Sequence, residues 1–125
     1  MAESSAPKMT SEQVARRCAE LCEEHKGENV LLYDVKGNSV LADYYLICTG
    51  TSEPHLRALS GYVDKDMAQN RVAIKKVSGT PASLWIVLDL GDVIVHLFNP
   101  TMREHYRIEE LWDDRQIVWR SRDAS

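Results

Sequence analysis

A chain of 125 residues, 44% hydrophobic and 27% charged, has the size and balance of one globular domain with a single core. No apolar run approaches the roughly 20 residues that a membrane-spanning helix needs, so no membrane partner is expected. Fifteen basic against nineteen acidic side chains leave a net charge of −4, which disfavours wholesale binding to nucleic-acid phosphates and suits a basic protein partner.

Residues 1–10 lack periodicity and carry neither the apolar region of a secretory signal nor the arginines of a transit peptide, so they read as a flexible leader. From Ser11, Val14, Cys18, Leu21 and Cys22 recur at three- and four-residue spacing and predict a helix, with Gly27 as its stop. Val30–Val35 is a first strand, followed by a turn at Lys36-Gly37-Asn38-Ser39; Tyr44–Thr49 is a second, closed by Gly50. Ser52 can cap the next helix, with Pro54 tolerated in its first turn and Leu56, Leu59, Val63 and Met67 as its apolar stripe. A short third strand is expected over Val72–Val77, then a loop at Ser78-Gly79-Thr80-Pro81. Leu84–Asp89 and Val93–Phe98, joined by Gly91-Asp92, form a hairpin of two nearly continuous apolar strands. Such strands usually lie in a sheet covered on both faces. Thr101 and Glu104 have capping-box spacing for a last helix running to about Trp112. The element order α-β-β-α-β-β-β-α predicts a mixed five-stranded α/β sheet packed with helices, its strand–helix–strand link making a right-handed crossover. The domain should span residues 11–113, with residues 114–125 a charged tail bearing the apolar island Ile117-Val118-Trp119.

Alternation along the hairpin puts Trp85, Val87 and Asp89 on one face with Ile94, His96 and Phe98. Asp89 and His96 become diagonal neighbours, close enough for a carboxylate–imidazole contact. A carboxylate-oriented histidine is two-thirds of a nucleophilic triad, but no serine or cysteine stands in a nucleophile motif, so a structural polar pair is the better reading. The aromatic face around Trp85 and Phe98 could dock a protein if no helix covers it, although periodicity alone favours Trp85 as core. Gly50-Thr51-Ser52, between a strand and a helix, could hold a phosphate through backbone N–H groups. Nucleotidyl transfer also needs carboxylates on metal ions, and the one Asp-x-Asp, Asp64 and Asp66, falls within a helix. Cys18, Cys22 and His25 share a helix face, but no second Cys/His pair completes a zinc site, and the cysteines read as small buried hydrophobes. The three cysteines, Cys48 included, fit a reducing cytosol and a cytoplasmic protein. No cofactor, metal or small-molecule substrate is expected.

Several segments carry a resemblance. Leu41-Ala42-Asp43-Tyr44-Tyr45, Ile47-Cys48-Thr49-Gly50-Thr51-Ser52 and, above all, the block Trp85-Ile86-Val87-Leu88-Asp89-Leu90-Gly91-Asp92-Val93-Ile94-Val95-His96 resemble the Iojap family of ribosomal silencing factors. Arg103, Tyr106 and Glu109-Glu110-Leu111-Trp112 fit the family's ending. The resemblance implies a nucleotidyltransferase-like domain without catalytic carboxylates, hence no enzyme, the alternative being a nucleotide-binding relative that keeps the activity. It implies docking on ribosomal protein fourteen of the large subunit, steric exclusion of the small subunit, and repression of translation when nutrients are scarce. It further implies that Trp85, Asp89, His96 and Phe98 are central to the contact, with Asp43, Asp92 and Tyr106 at its rim. This chain departs from the family pattern at Ser78, where an acidic residue is usual, and at His105, where an aromatic is. Its extended tail, Arg115 to Ser125, could pack back on the domain, self-associate into a homodimer or touch ribosomal RNA.

Overall fold

The computed structural model describes residues 8–122, so residues 1–7 of the expected leader and 123–125 of the expected tail lie outside the described residues. Thr10 starts the first helix, α1 (Ser11–Glu24): its hydroxyl accepts from Gln13 N–H while the Gln13 side chain accepts from Thr10 N–H. The periodic stripe is buried as expected, Val14, Cys18, Leu21 and Cys22 together with Ala15 and Ala19. The strands β1 (Glu28–Asp34) and β2 (Tyr44–Thr49) pair antiparallel. Ser52 caps α2 (Glu53–Gln69) by accepting from His55 N–H, and the helix buries Leu56, Leu59, Val63 and Met67.

Strands β3 (Lys76–Thr80), β4 (Trp85–Asp89) and β5 (Val93–Phe98) form an antiparallel meander. Helix α3 (Pro100–Tyr106) and a final strand, β6 (Ile117–Arg120), complete the chain. The α/β class holds, but the sheet has six strands, in the order β3-β4-β5-β2-β1-β6, and not five. The sixth comes from the apolar island of the tail. Trp119 pairs with Leu32 and packs on the core, while Ser121 exchanges two hydrogen bonds with Val30, so β6 seals the edge of β1. Among the described residues the one parallel pair is β2 with β5, and α2 carries the chain past it to the far edge, β3.

Two local expectations shift. The third strand forms over Lys76–Thr80 rather than Val72–Val77, because Val72 and Ile74 are drawn into the core and the supposed loop Ser78-Gly79-Thr80 pairs with β4. Asn99, not Thr101, caps α3 by accepting from Met102 N–H; the helix stops at Tyr106, where Arg107 turns left-handed (φ 46°), and a 3-10 turn over Ile108–Leu111 follows.

Helices α1 and α2 cover one face of the sheet over the larger core, leaving Val77 of the edge strand β3 exposed. A smaller core lies on the other face, where Tyr33, Ile47 and Phe98 sit beneath Met102, Ile108 and Trp112. The hairpin β4–β5 is therefore not covered on both faces. The short α3 reaches only part of it, leaving Trp85, Val87, Asp89, Ile94 and His96 half-buried.

Candidate functional site

Register pairs Trp85 with Phe98, Val87 with His96 and Asp89 with Ile94, so all six side chains share the face turned away from α1 and α2. Phe98 is fully buried and forms the floor. Trp85 lies over it, ring centroids 5.6 Å apart, and packs in a tilted arrangement at 4.6 Å against Tyr106, which α3 holds 50% exposed. On the other side of β5, His96 faces Tyr45 at 6.0 Å, and Tyr45 packs at 4.4 Å against Trp112. Two aromatic pairs, Trp85–Tyr106 and Tyr45–Trp112, thus flank His96. Beside the first pair lies a groove of about 370 Å³ lined by Ser78, Gly79, Ser83, Val87 and Met102. Large aromatics that keep one edge in solvent are what protein interfaces use as anchors.

The expected Asp89–His96 contact is not made. Nδ1 of His96 accepts the indole N–H of Trp85 at 3.1 Å, and Oδ1 of Asp89 accepts from Gly91 N–H at 2.8 Å. The short carboxylate is captured by its own turn, whereas the longer indole spans the diagonal to the imidazole. Burial pushes His96 down to about 4, so near neutral pH the ring is an uncharged acceptor.

Asp43 and Asp92 are brought together, but at the opposite end of the hairpin from Trp85. The Asp92 carbonyl accepts from Asp43 and Tyr44 N–H, and the Asp92 carboxylate accepts from Ser11 Oγ at the start of α1. Val87 takes the place on this face that strand alternation gives it, while Tyr45, Met102 and Trp112 join the face without having been singled out as site residues from sequence. Tyr45 is placed there by the parallel β2–β5 register, which no local pattern announces.

The other candidates are engaged by their own chain. Thr51 N–H donates to His55 Nδ1 at 3.0 Å, and His55 Nε2 lies 2.9 Å from the His25 carbonyl, so a side chain occupies the strand–helix junction proposed for phosphate. Asp66 pairs with Arg17 at 2.7 Å, tying α2 to α1. Cys18, Cys22 and Cys48 are buried free thiols; burial pushes Cys18 up to about 12, and hydrogen bonding with Cys48, then burial, raises Cys22. His25 stacks on Tyr62 at 3.5 Å. Among the described residues no three His, Cys, Asp or Glu side chains cluster as a metal site would require.

Comparison with known proteins adds a family. A family model described as "Ribosomal silencing factor during starvation" matches residues 8–124. The ribosomal silencing factor of Bacillus subtilis is 34% identical over 110 residues, 88% of this chain and 93% of that protein. A mouse protein named for mitochondrial assembly of the ribosomal large subunit is 30% identical over 100 residues, 78% of this chain and 44% of that one. A crystal structure of a protein from Chromobacterium violaceum superposes with a TM-score of 0.79 at 26% identity, covering 92% of this chain and 98% of the other.

Proposed function

The chain belongs to the ribosomal silencing factor family, and from that membership we propose that it represses translation by docking on ribosomal protein fourteen of the large subunit through the half-open aromatic face. The observation that carries this reading is the pair formed by half-buried Trp85 and half-exposed Tyr106 on a sheet face that α3 leaves partly bare. Trp85 and Tyr106 supply the anchors, His96 and Phe98 hold Trp85 in place from beside and beneath, and Asp89 lies at the margin of the face. Asp43 and Asp92 lie at the far end of the hairpin, where the Asp92 carboxylate accepts from Ser11 Oγ at the start of α1, so they would serve a basic partner only as a rim remote from the aromatic anchors. No bond is made or broken in this mechanism. A factor that occupies the joining surface of the free large subunit and cannot bind the joined ribosome shifts the equilibrium by mass action, by about 2.7 kcal/mol at a hundred times its dissociation constant.

The test is co-sedimentation with isolated large subunits, small subunits and joined ribosomes. Co-migration with large subunits alone, and fewer joined particles after mixing, is the expected result; no binding to large subunits at micromolar protein overturns it. Trp85→Ala should weaken binding by more than about 1 kcal/mol while unfolding stays cooperative. Wild-type affinity in that variant removes Trp85 from the contact.

A further inference from the structure

Helix α3 has seven residues, too few to hold its conformation unaided. Yet it presents Tyr106, and the 3-10 turn after it leads to Trp112. Arg103 is what ties this segment to the sheet. Only 8% exposed, its Nη1 donates to the Asn29 carbonyl at 2.7 Å, where β1 begins, and to Thr49 Oγ1 at 2.8 Å, where β2 ends. Its Nε donates to Glu109 Oε2 at 3.1 Å, inside the 3-10 turn, and its guanidinium lies 6.0 Å from the Phe98 ring. The Arg103 carbonyl accepts from Arg107 N–H, the bond that closes the helix just past Tyr106. One buried cation therefore joins two strand ends, the helix and the turn that leads to Trp112.

We propose that Arg103 is a positioning residue of the docking face: with Glu109, Thr49 and Asn29 it fixes α3 and the following turn so that Tyr106 packs on Trp85 and Trp112 packs on Tyr45. The proposal rests on the docking reading above for its consequence, not for its geometry. Arg103 itself is too buried to touch a partner, so its effect on affinity is exerted through the aromatic pairs. A buried guanidinium deprived of its carboxylate is left an uncompensated charge, and the segment must move to rehydrate it. The bidentate fork of arginine is also not reproduced by lysine.

The experiment uses the full chain. Arg103→Ala is the obvious variant and risks unfolding, so Glu109→Ala is the working one, with Glu109→Gln as the conservative rescue because it keeps an acceptor for Arg103 Nε–H. The first readout needs no ribosome: fluorine resonances of 5-fluorotryptophan at Trp85 and Trp112 should shift or broaden in Glu109→Ala and return toward wild type in Glu109→Gln. Unchanged resonances in a folded Glu109→Ala protein overturn the proposal. The second readout is affinity for isolated large subunits. Glu109→Ala should weaken binding at least fivefold in the wild-type background but clearly less when Tyr106→Ala is already present, since one of the two aromatics it positions is then gone. Equal losses in both backgrounds mean a purely structural contribution and overturn it as well. If wild type fails to bind large subunits while the resonances respond as described, the docking reading falls and the positioning role stands.

Discussion

His96 must stay neutral to accept the Trp85 indole proton, and that requirement couples one residue to the stability of the molecule. Its folded value is about 4 against an ordinary 6.5, lowered by burial. The unfolded chain therefore binds a proton that the folded chain refuses, and folding stability is fully present above about pH 6.5 and lost as the pH falls toward 4. For a group largely but not wholly buried the loss between pH 7.5 and pH 5 is at most about 2 kcal/mol. Urea unfolding at the two pH values should show that slope, and His96→Gln should flatten it, because an amide has no charge to gain. An unaltered slope in the variant assigns the acid sensitivity to other groups. Cys18, raised to about 12, stays a protonated thiol throughout this range and adds nothing to it.

At the scale of elements, the turn from β3 into β4 is where sequence reasoning and structure part, and Gly79 is the reason. Its φ of +79° lies in the left-handed region, and a Cβ there would stand 2.1 Å from the Trp85 carbonyl oxygen. Gly37 has nearly the same φ, +82°, with nothing within 4 Å of such a Cβ. Gly37→Ala should cost only the backbone penalty of roughly 1 kcal/mol, whereas Gly79→Ala should cost clearly more and disturb the Trp85 environment. Thermal unfolding with tryptophan emission compares them; equal midpoints would show that β3 yields without consequence. Ser78-Gly79-Thr80-Pro81 looks like a loop because glycine and proline punctuate loops in general. In this chain the glycine lets a strand pass close to its neighbour. Elements with local signals were legible: the periodic α1, the capped and periodic α2, and the apolar hairpin whose alternation placed Trp85, His96 and Phe98 on one face; the Thr10 cap of α1 was not, since residues 1–10 read as a leader. Non-local features were not. Tyr45 reaches the site through the parallel register of β2 with β5, in which it pairs with the distant Ile94, and Trp112 through a turn held by Arg103. The Asp89–His96 pairing was inferred from strand geometry, which gives the positions of side chains but not which of two neighbours is long enough to make the bond.

The whole molecule is asymmetric: α1 and α2 seal one face, β6 seals one edge, and the aromatic groove opens beside the other edge, β3. Lys75 and Lys76 and the kink at Gly79 blunt that second edge against pairing with another chain. Edge β1 has no such defence of its own, since Leu31, Leu32 and Tyr33 present a continuous apolar run, and β6 is what covers it. Truncation after Asp114 should therefore act through the sheet and not through the docking face. It removes the packing of Trp119 on the core and the paired hydrogen bonds between Ser121 and Val30, together worth on the order of 3 kcal/mol. It also bares a strand edge, so the truncated protein should unfold at lower urea and associate in sedimentation velocity at concentrations where the full chain does not. Trp119→Phe separates the two contributions. Its indole N–H is buried without a partner, so phenylalanine keeps the packing and discards an unsatisfied donor, and stability should stay within about 1 kcal/mol of wild type. A truncated chain with wild-type stability and no association would mean that β1 is protected by something other than β6. Retained affinity for large subunits by the folded fraction would place the sealed edge and the docking face under separate control.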